Sequence, residues 1–411
     1  MSKVSIPFSA TSLDAWRAQL HKELKENTAL LQYNSSIEGI SFSLLENEAP
    51  QFKLKESPTM SWKRMVAADA SQAKNSNEFL LSALMQGADA ILLEHTTPHT
   101  DWTTLLQDIE TAYVPCLLLF ETPAAHAYFI ETAPKEHISH CTILHNYGTQ
   151  QNYISTYEIQ QIGANCSTEL AAGLIHLHQR LELNGEDTTL YFEMGVGKDY
   201  FVEIAKFRAL QMLLAQLEEI HHVRIELQLI AKTGFCNKSL IDPYTNLLRL
   251  ATEGLSAVMG GAAYVCLQPY DTLSTEGASA FSQRMALNIG NLLSEEAQLS
   301  TLNDPLRGAY VVEQLSLALA KKSWTFLCEL DADPASAQQK LKTEIAQTRD
   351  LRTEGVQSGK DIMIGINAFP NEFESPKADW SELPTALGFQ YLIFENAANW
   401  CQEKNSTPIA T

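Results

Sequence analysis

TLYFEMGVGKDYFVEIAKFRALQMLLAQLEE, residues 189–219, is a strand, a turn and a helix in that order. TLYFEM is a short run of aromatic and aliphatic residues, the kind that strands favour. In GVGKDYF, Gly195 and Gly197 allow a tight turn, and the remainder carries a long helical periodicity. The unit recurs along the chain. Similar runs at WKRMVAA (62–68), ADAILLEH (88–95), VPCLLLFE (114–121), CTILHN (141–146), YISTYE (153–158), RIELQLIA (224–231) and LSAVMG to YVCLQ (255–268) make about eight strand candidates. Amphipathic stretches lie between most of them, such as STELAAGLIHLHQRLE and FLLSALMQG, with Leu80, Leu81, Leu84 and Met85 on one face.

Strand–helix alternation predicts an α/β fold, a parallel sheet covered by helices. Eight such units over roughly 210 residues suit a (β/α)8 TIM barrel. An open doubly wound sheet is the rival; it usually has fewer strands and a phosphate fingerprint after the first, and no GxGxxG occurs here. The expected domains are an N-terminal arm over residues 1–55, the barrel over 56–330 and a C-terminal helical extension over 331–411. The arm holds one amphipathic helix, roughly LDAWRAQLHKEL. The extension begins with a polar helix over 334–356, continues with an apolar strand, IMIGINAF, and carries one more helix near its end.

The 411 residues have a formal net charge of −20, and a surface this acidic repels phosphate backbones, which argues against nucleic acid. Seven Cys (116, 141, 166, 236, 266, 328, 401) form no CxxC pair, and most sit in apolar runs such as VPCLLLF. Reduced, buried thiols fit that pattern, and no metal site is expected. MSKVSIPFSATSLDAW lacks the apolar core of a signal peptide. The longest apolar runs are about seven residues, too short to span a bilayer. A soluble, cytoplasmic protein is the expectation.

In such a barrel, function sits at the C-terminal ends of the strands. Tyr157 and Glu158 end the fifth run, either as a general acid with an electrostatic partner or as a hydroxyl and a carboxylate that satisfy each other. The helix opened by GVGKDYF offers an N-terminus for an anion, but position 192 is Phe where a P-loop needs Gly, and a turn glycine is the competing reading. His221-His222 reads as a surface pair at a helix end. In Met259-Gly260-Gly261 the glycines admit close approach of a ligand or of a neighbouring strand. His145-Asn146-Tyr147-Gly148 shares a pattern with the Asp-x-His-x-x-Gly ligand motif of cobalamin modules, but Ile143 stands at the first position, so it reads as a chance match.

Four segments in order resemble the methylmalonyl-CoA mutase family: YEIQQIGANCSTELAAGL; EMGVGKDYFVEIAKFRALQMLLAQL; ATEGLSAVMGGAAYVCLQPYD, continuing through FSQRMALNIGNLLSEEAQL; and NDPLRGAYVVEQLSLALAKKSW, with IMIGINAF further on. The run Asp304-Pro305-x-x-Gly308-x-Tyr310-x-Val312-Glu313 is the most specific part. The resemblance implies a barrel that holds a CoA ester against adenosylcobalamin for a radical rearrangement. In catalytic chains a Tyr-His pair follows the fifth strand, and the His donates to the thioester carbonyl. Tyr157 matches the Tyr, but Glu158 stands at the His, and an ionised carboxylate has no proton to donate.

Other departures agree. A His-Thr pair and a further His around the eighth strand match Gly261-Ala262 and Cys266, and the span from His145 to Tyr153 leaves no room for the substrate-binding insertion. Leu, Phe, Tyr and Met at both alternating strand positions predict a filled bore. The sequence stops at residue 411, so the family's C-terminal cobalamin domain is expected to be absent. GGAAYVCLQPYD and EEAQL resemble the small, non-catalytic chain of the heterodimeric mutase. The resemblance thus implies a structural small subunit, inactive in isolation, of a methylmalonyl-CoA mutase of propionate metabolism. Its vestigial pocket would hold Tyr157, Glu158, Gly261, Ala262 and Cys266, with no catalytic residue, cofactor or metal. Adenosylcobalamin would sit in a large catalytic partner, with a homodimer when that partner is missing. The alternative is an acyl-CoA mutase substrate-binding subunit that uses a separate cobalamin-binding chain. A barrel with a new ligand at Glu158 is a third.

Overall fold

The apolar runs become eight parallel strands that nearly close on themselves. The computed structural model describes residues 11–25, 31–44, 54, 62–148, 151–239, 242–274, 277–301 and 304–369. The arm supplies helix α1 (Leu13–Leu24) and an antiparallel hairpin, β1 (Gln32–Ser35) and β2 (Ile40–Ser43). The barrel follows with β3 (Lys63–Asp69), α2 (Ala73–Met85), β4 (Ala90–Glu94), α3 (Trp102–Leu105), β5 (Cys116–Phe120), α4 (Pro123–Thr132), α5 (Lys135–Ile138) and β6 (Thr142–His145). Its second half is β7 (Tyr153–Ser155), α6 (Tyr157–Gln161), α7 (Cys166–Leu183), β8 (Thr188–Val196), α8 (Tyr200–His221), β9 (Ile225–Thr233), α9 (Pro243–Met259), β10 (Tyr264–Cys266) and α10 (Ala280–Asn291). Helices α11 (Tyr310–Ala332) and α12 (Pro334–Gln357) complete the described chain. The strands run in the order β6-β5-β4-β3-β10-β9-β8-β7, all neighbours parallel, and the first and last of the eight, β3 and β10, pair directly. This is the (β/α)8 barrel that the alternation predicts.

The ring is left to close between β6 and β7, and one side chain does most of it. Asn152 imitates a strand backbone: its Oδ1 accepts from His145 N at 2.7 Å, and its Nδ2 donates to Ile143 O at 2.9 Å. Its own N–H reaches His145 O at 3.2 Å, while its carbonyl accepts from Tyr191 N on β8 at 2.8 Å. The amide thus satisfies groups that an unpaired edge would leave bare.

Three local expectations fail for identifiable reasons. Leu255 to Met259 belong to α9, and β10 is confined to Tyr264–Cys266. The apolar run is the last turn of a helix, with Ser256 and Ala257 buried, and Gly261 follows it at a left-handed φ of +89° while donating to Val258 O at 3.0 Å. Tyr157 and Glu158 do not extend the fifth strand but open α6 after Thr156. IMIGINAF is a turn, not a strand: Asn367 Nδ2 donates to the carbonyls of Val356 and Asp361, both at 2.8 Å, and its Oδ1 accepts from Met363 N at 2.7 Å. The polar helix over 334–356 corresponds to α12, and LDAWRAQLHKEL is α1. The further helix expected near the C-terminus lies outside the described residues.

Packing divides the core in three. Phe192, Phe207, Leu210 and Leu319 sit in the layer between the sheet and α7, α8 and α11, and Trp102, Phe120 and Phe129 in the layer outside β3 to β6. The third cluster fills the barrel axis. Close approach is demanded at Gly173 of α7, where a Cβ would lie 2.4 Å from the Phe192 ring and 2.7 Å from the Thr156 methyl. The arm docks on the first turn of α7. Buried Glu38 accepts from Cys166 N at 3.0 Å, Asn165 caps the helix through Thr168 N at 2.8 Å, and its amide also reaches Ile37 O and Thr348 Oγ1 of α12, each at 3.3 Å.

Asn152→Ala removes two side-chain hydrogen bonds at the seam and is expected to cost about 2 kcal/mol in denaturant unfolding, with earlier hydrogen exchange in β6 and β7. Glu38 makes a second prediction. Burial raises its carboxyl above the ordinary value, the Cys166 amide, Arg352 and Lys322 pulling the other way. Its contribution to stability is therefore complete below the ordinary carboxylate range and is lost as pH rises through the raised value. Glu38→Gln should remove that dependence, so its stability relative to the parent chain should be greater at pH 8 than at pH 5 in paired urea titrations.

Candidate functional site

The C-terminal strand ends open at one face of the barrel, and the axis below them is occupied. Met65, Leu92, Leu117, Leu119, Leu144, Tyr153, Ile230 and Tyr264 form a buried cluster with Tyr191 packed against it. Alternation along each strand places these bulky residues inward. A cavity of about 50 Å3 lies beside them, between β3, β10 and α10, lined by Trp62, Met65, Cys266, Gln283 and Leu287 among others. That is room for about one or two waters.

A charged layer closes the top of the axis. Lys232, the next-to-last residue of β9, donates to Glu94 Oε1 of β4 at 2.7 Å and lies 3.7 Å from Glu193 Oε1 of β8. Tyr153 and Ser155 of β7 donate to the other oxygen of Glu193 at 2.8 and 2.6 Å. Burial opposes the charge of Lys232, but Glu193, Glu94 and Tyr157 outweigh it and push its ammonium well above the ordinary value. Sequence reading missed all three charged residues. The available signal was a Glu or Lys at the C-terminal end of an otherwise apolar run, in AILLE, LYFE and QLIAK.

α6 lies over this layer as a lid. The Tyr157 ring sits 4.8 Å from Lys232 Nζ, and its hydroxyl donates to Thr233 O at 3.4 Å. Gln160 presses on Gly195, where a Cβ would come within 2.5 Å of its Oε1, and Gln161 presses on Gly234, where the gap would be 2.0 Å. The Gln161 carbonyl oxygen also accepts from Cys236 N at 3.2 Å. Beneath the lid, a buried triad fixes β8. Lys206 of α8 is fully buried and donates to Glu169 of α7 at 2.9 Å and to Gly195 O at 2.6 Å, and pairs with Glu203 at 2.7 Å. Burial works against its charge, but Glu169 and Glu203 raise it further than burial lowers it. Glu169 Oε1 accepts from Thr156 Oγ1 and from Gly195 N, both at 3.1 Å, which sets where α6 begins.

The expected pocket residues separate into two places. Tyr157 and Cys266 meet at Lys232; Cys266 is its register partner on β10, and burial pushes its thiol up to about 12. Glu158 is exposed at the rim, and its carboxyl is raised by the crowding of protein around its base, with Lys232 opposing and Glu193 and Glu94 adding. Gly261 and Ala262 lie before β10, on the turn from α9, away from that mouth. Gly260 has a packing role, since a Cβ there would lie 2.4 Å from Phe207.

The remaining motifs are structural too. Gly195 of GVGKDYF belongs to β8 and admits Gln160. His145 bonds His126 at 3.2 Å beside the seam. His221 ends α8 and meets His178 at 2.9 Å, and His222 follows at a positive φ. Asp304 and Glu313 of the family-specific run clasp Arg208 of α8, the latter at 2.8 Å, while Glu313 also accepts from Gly308 N at 2.9 Å. No group of three or more His, Cys, Asp or Glu able to hold a metal ion occurs among the described residues, and no described helix is long and apolar enough to cross a membrane.

These features define a (β/α)8 barrel whose functional end is capped by its own α6. The family model described as Methylmalonyl-CoA mutase matches residues 132–388, and the chain belongs to that family. It is 32% identical to the methylmalonyl-CoA mutase small subunit of Porphyromonas gingivalis over 44% of this chain and 30% of that one. It is 31% identical to the methylmalonyl-CoA mutase of Cereibacter sphaeroides over 54% and 34%, and 29% identical to the large subunit of Propionibacterium freudenreichii subsp. shermanii over 54% and 33%. The chain spans about a third of the length of these relatives. The family implies adenosylcobalamin and a CoA ester. A pantetheine arm that reaches a cofactor at the mouth needs an open bore. Tyr153, Leu119, Tyr264 and the Lys232 layer occupy that path, so the described residues do not fit the pair.

Lys206→Met leaves Glu169 and Glu203 buried without a counter-charge and is expected to cost roughly 3–5 kcal/mol in chemical unfolding. Gly195→Ala forces Gln160 aside; it should cost roughly 1–3 kcal/mol and speed proteolysis within 157–161.

Proposed function

We propose that this chain is the non-catalytic small subunit of a heterodimeric, adenosylcobalamin-dependent methylmalonyl-CoA mutase, acting in the cytoplasm. The observation that carries the reading is the filled axis under α6, with Lys232, Glu94 and Glu193 where a thioester would have to enter. Glu158 adds to it, because a carboxylate at the rim accepts hydrogen bonds and does not donate one while ionised. The large chain would hold the cofactor and interconvert methylmalonyl-CoA and succinyl-CoA. This chain would support it through its arm (1–55) and the helices of its barrel (56–330). Resemblance to a small subunit supports the pairing.

A second reading is a substrate-binding mutase subunit served by a separate cobalamin chain. It is favoured by the comparable identity to the methylmalonyl-CoA mutase of Cereibacter sphaeroides and to the large subunit of Propionibacterium freudenreichii. Calorimetry separates the two. The isolated chain is expected to give no heat with methylmalonyl-CoA or succinyl-CoA, whereas the second reading requires binding of one of them. Co-expression with a large chain should yield a heterodimer with higher mutase activity than the large chain alone; unchanged activity and oligomer size would overturn the subunit reading.

A further inference from the structure

We infer that the chamber under α6 is a receptor for a primary alkylammonium ion, and that Lys232 fills it as an internal ligand. Three partners converge on one nitrogen. Glu94 Oε1 accepts from it at 2.7 Å, Glu193 Oε1 stands 3.7 Å away, and the Tyr157 ring centroid lies at 4.8 Å. Carboxylates and an aromatic face are the set that recognises an ammonium group. Glu193 is the informative member. It is buried, one oxygen takes the hydroxyls of Tyr153 and Ser155, and the other has no hydrogen-bond partner. A buried carboxylate oxygen left in this way is held by charge alone.

The geometry also fixes the size of the guest. Lys232 enters from β9 and ends on β4, with β10 and β3 between them in the sheet, so its stem crosses the bore. Lys232 is itself buried, and Ile230 and Leu92, two residues before Lys232 and Glu94 on their strands, belong to the cluster that fills the axis. A guest that replaces the lysine therefore has the length of its stem, with the charged end between Glu94, Glu193 and the Tyr157 ring. A planar guanidinium would need two-pronged partners in one plane, whereas a compact ammonium is met as a point charge. The chamber would select in this way whether or not the chain pairs with a large subunit.

Lys232→Ala deletes the equivalent of n-propylammonium and leaves the receptor empty. Its thermal midpoint is expected to fall and to be restored in a saturable way by millimolar n-propylammonium chloride. Ethylammonium should restore it less, methylammonium less still, and n-propanol, tetramethylammonium or sodium chloride at matched ionic strength not at all. The unsubstituted chain should not respond. Equal responses to n-propylammonium, n-propanol and sodium chloride, or a midpoint unchanged by Lys232→Ala, would overturn the assignment. Should the alanine variant not fold, Lys232→Met keeps the stem without the charge. Adding Glu193→Gln should then raise its midpoint, because the carboxylate no longer waits for a cation; a further drop would mean that Glu193 serves only the two hydroxyls and would overturn it equally.

Discussion

A barrel has no edges only if its last pair of strands meets, and here that meeting rests on the amide of Asn152. Strands β6 and β7 are short, and the ladder between them is carried by a side chain that offers one donor and one acceptor at strand spacing. With that bond in place, the eight strands share one axis, and every inward residue is committed to it. Side chains as large as Tyr153, Tyr191 and Tyr264 can occupy the same bore only because closure fixes their heights relative to one another.

The mouth follows from the same commitment. With the axis full, polar groups at the top cannot reach water down the bore and must satisfy one another. Lys232 links β9 to β4, Glu193 links β8 to β7, and Tyr157 brings the lid onto both. Gly195 and Gly234 are what allow the lid to sit so low, since any side chain there would meet a glutamine. Below, Lys206 turns two buried carboxylates and a backbone carbonyl into a rigid foundation for β8. The charged groups here organise a closure; they do not line an entrance.

Much of the architecture was legible in residue order. Apolar runs separated by amphipathic stretches marked all eight strands, and α1 was legible from its amphipathic pattern and α12 from its run of Gln, Lys, Glu and Arg. What escaped was set by contacts distant in sequence. Leu255 to Met259 look like a strand until they are seen to close α9, which buries Ser256 and Ala257 among them. Tyr157 continues an apolar run, but the Thr156 carbonyl accepts from Gln160 N at 3.1 Å and opens α6 there instead. At the site, residue matching singled out Tyr157, Glu158 and Cys266, which do gather at one end, together with Gly261 and Ala262, which do not. Lys232, Glu94 and Glu193 were hidden because each looks like an ordinary charge at the end of a strand. Only the closed ring brings three strand ends within a hydrogen bond or an ion pair of each other.

The first turn of α7 is also where the two ends of the described chain come together. The hairpin of the arm reaches it through Glu38 and Ile37, and α12 reaches it through Thr348 and Arg352. During synthesis the hairpin leaves the ribosome first, yet its complete seat exists only after α12 has been made. At typical elongation rates that interval is roughly 15 to 60 seconds. For that time a short two-stranded ribbon, with Tyr33 stacked on Phe42, has to persist without its partner or wait unfolded. The order in which this protein matures is therefore written into the contact that joins the hairpin to α12.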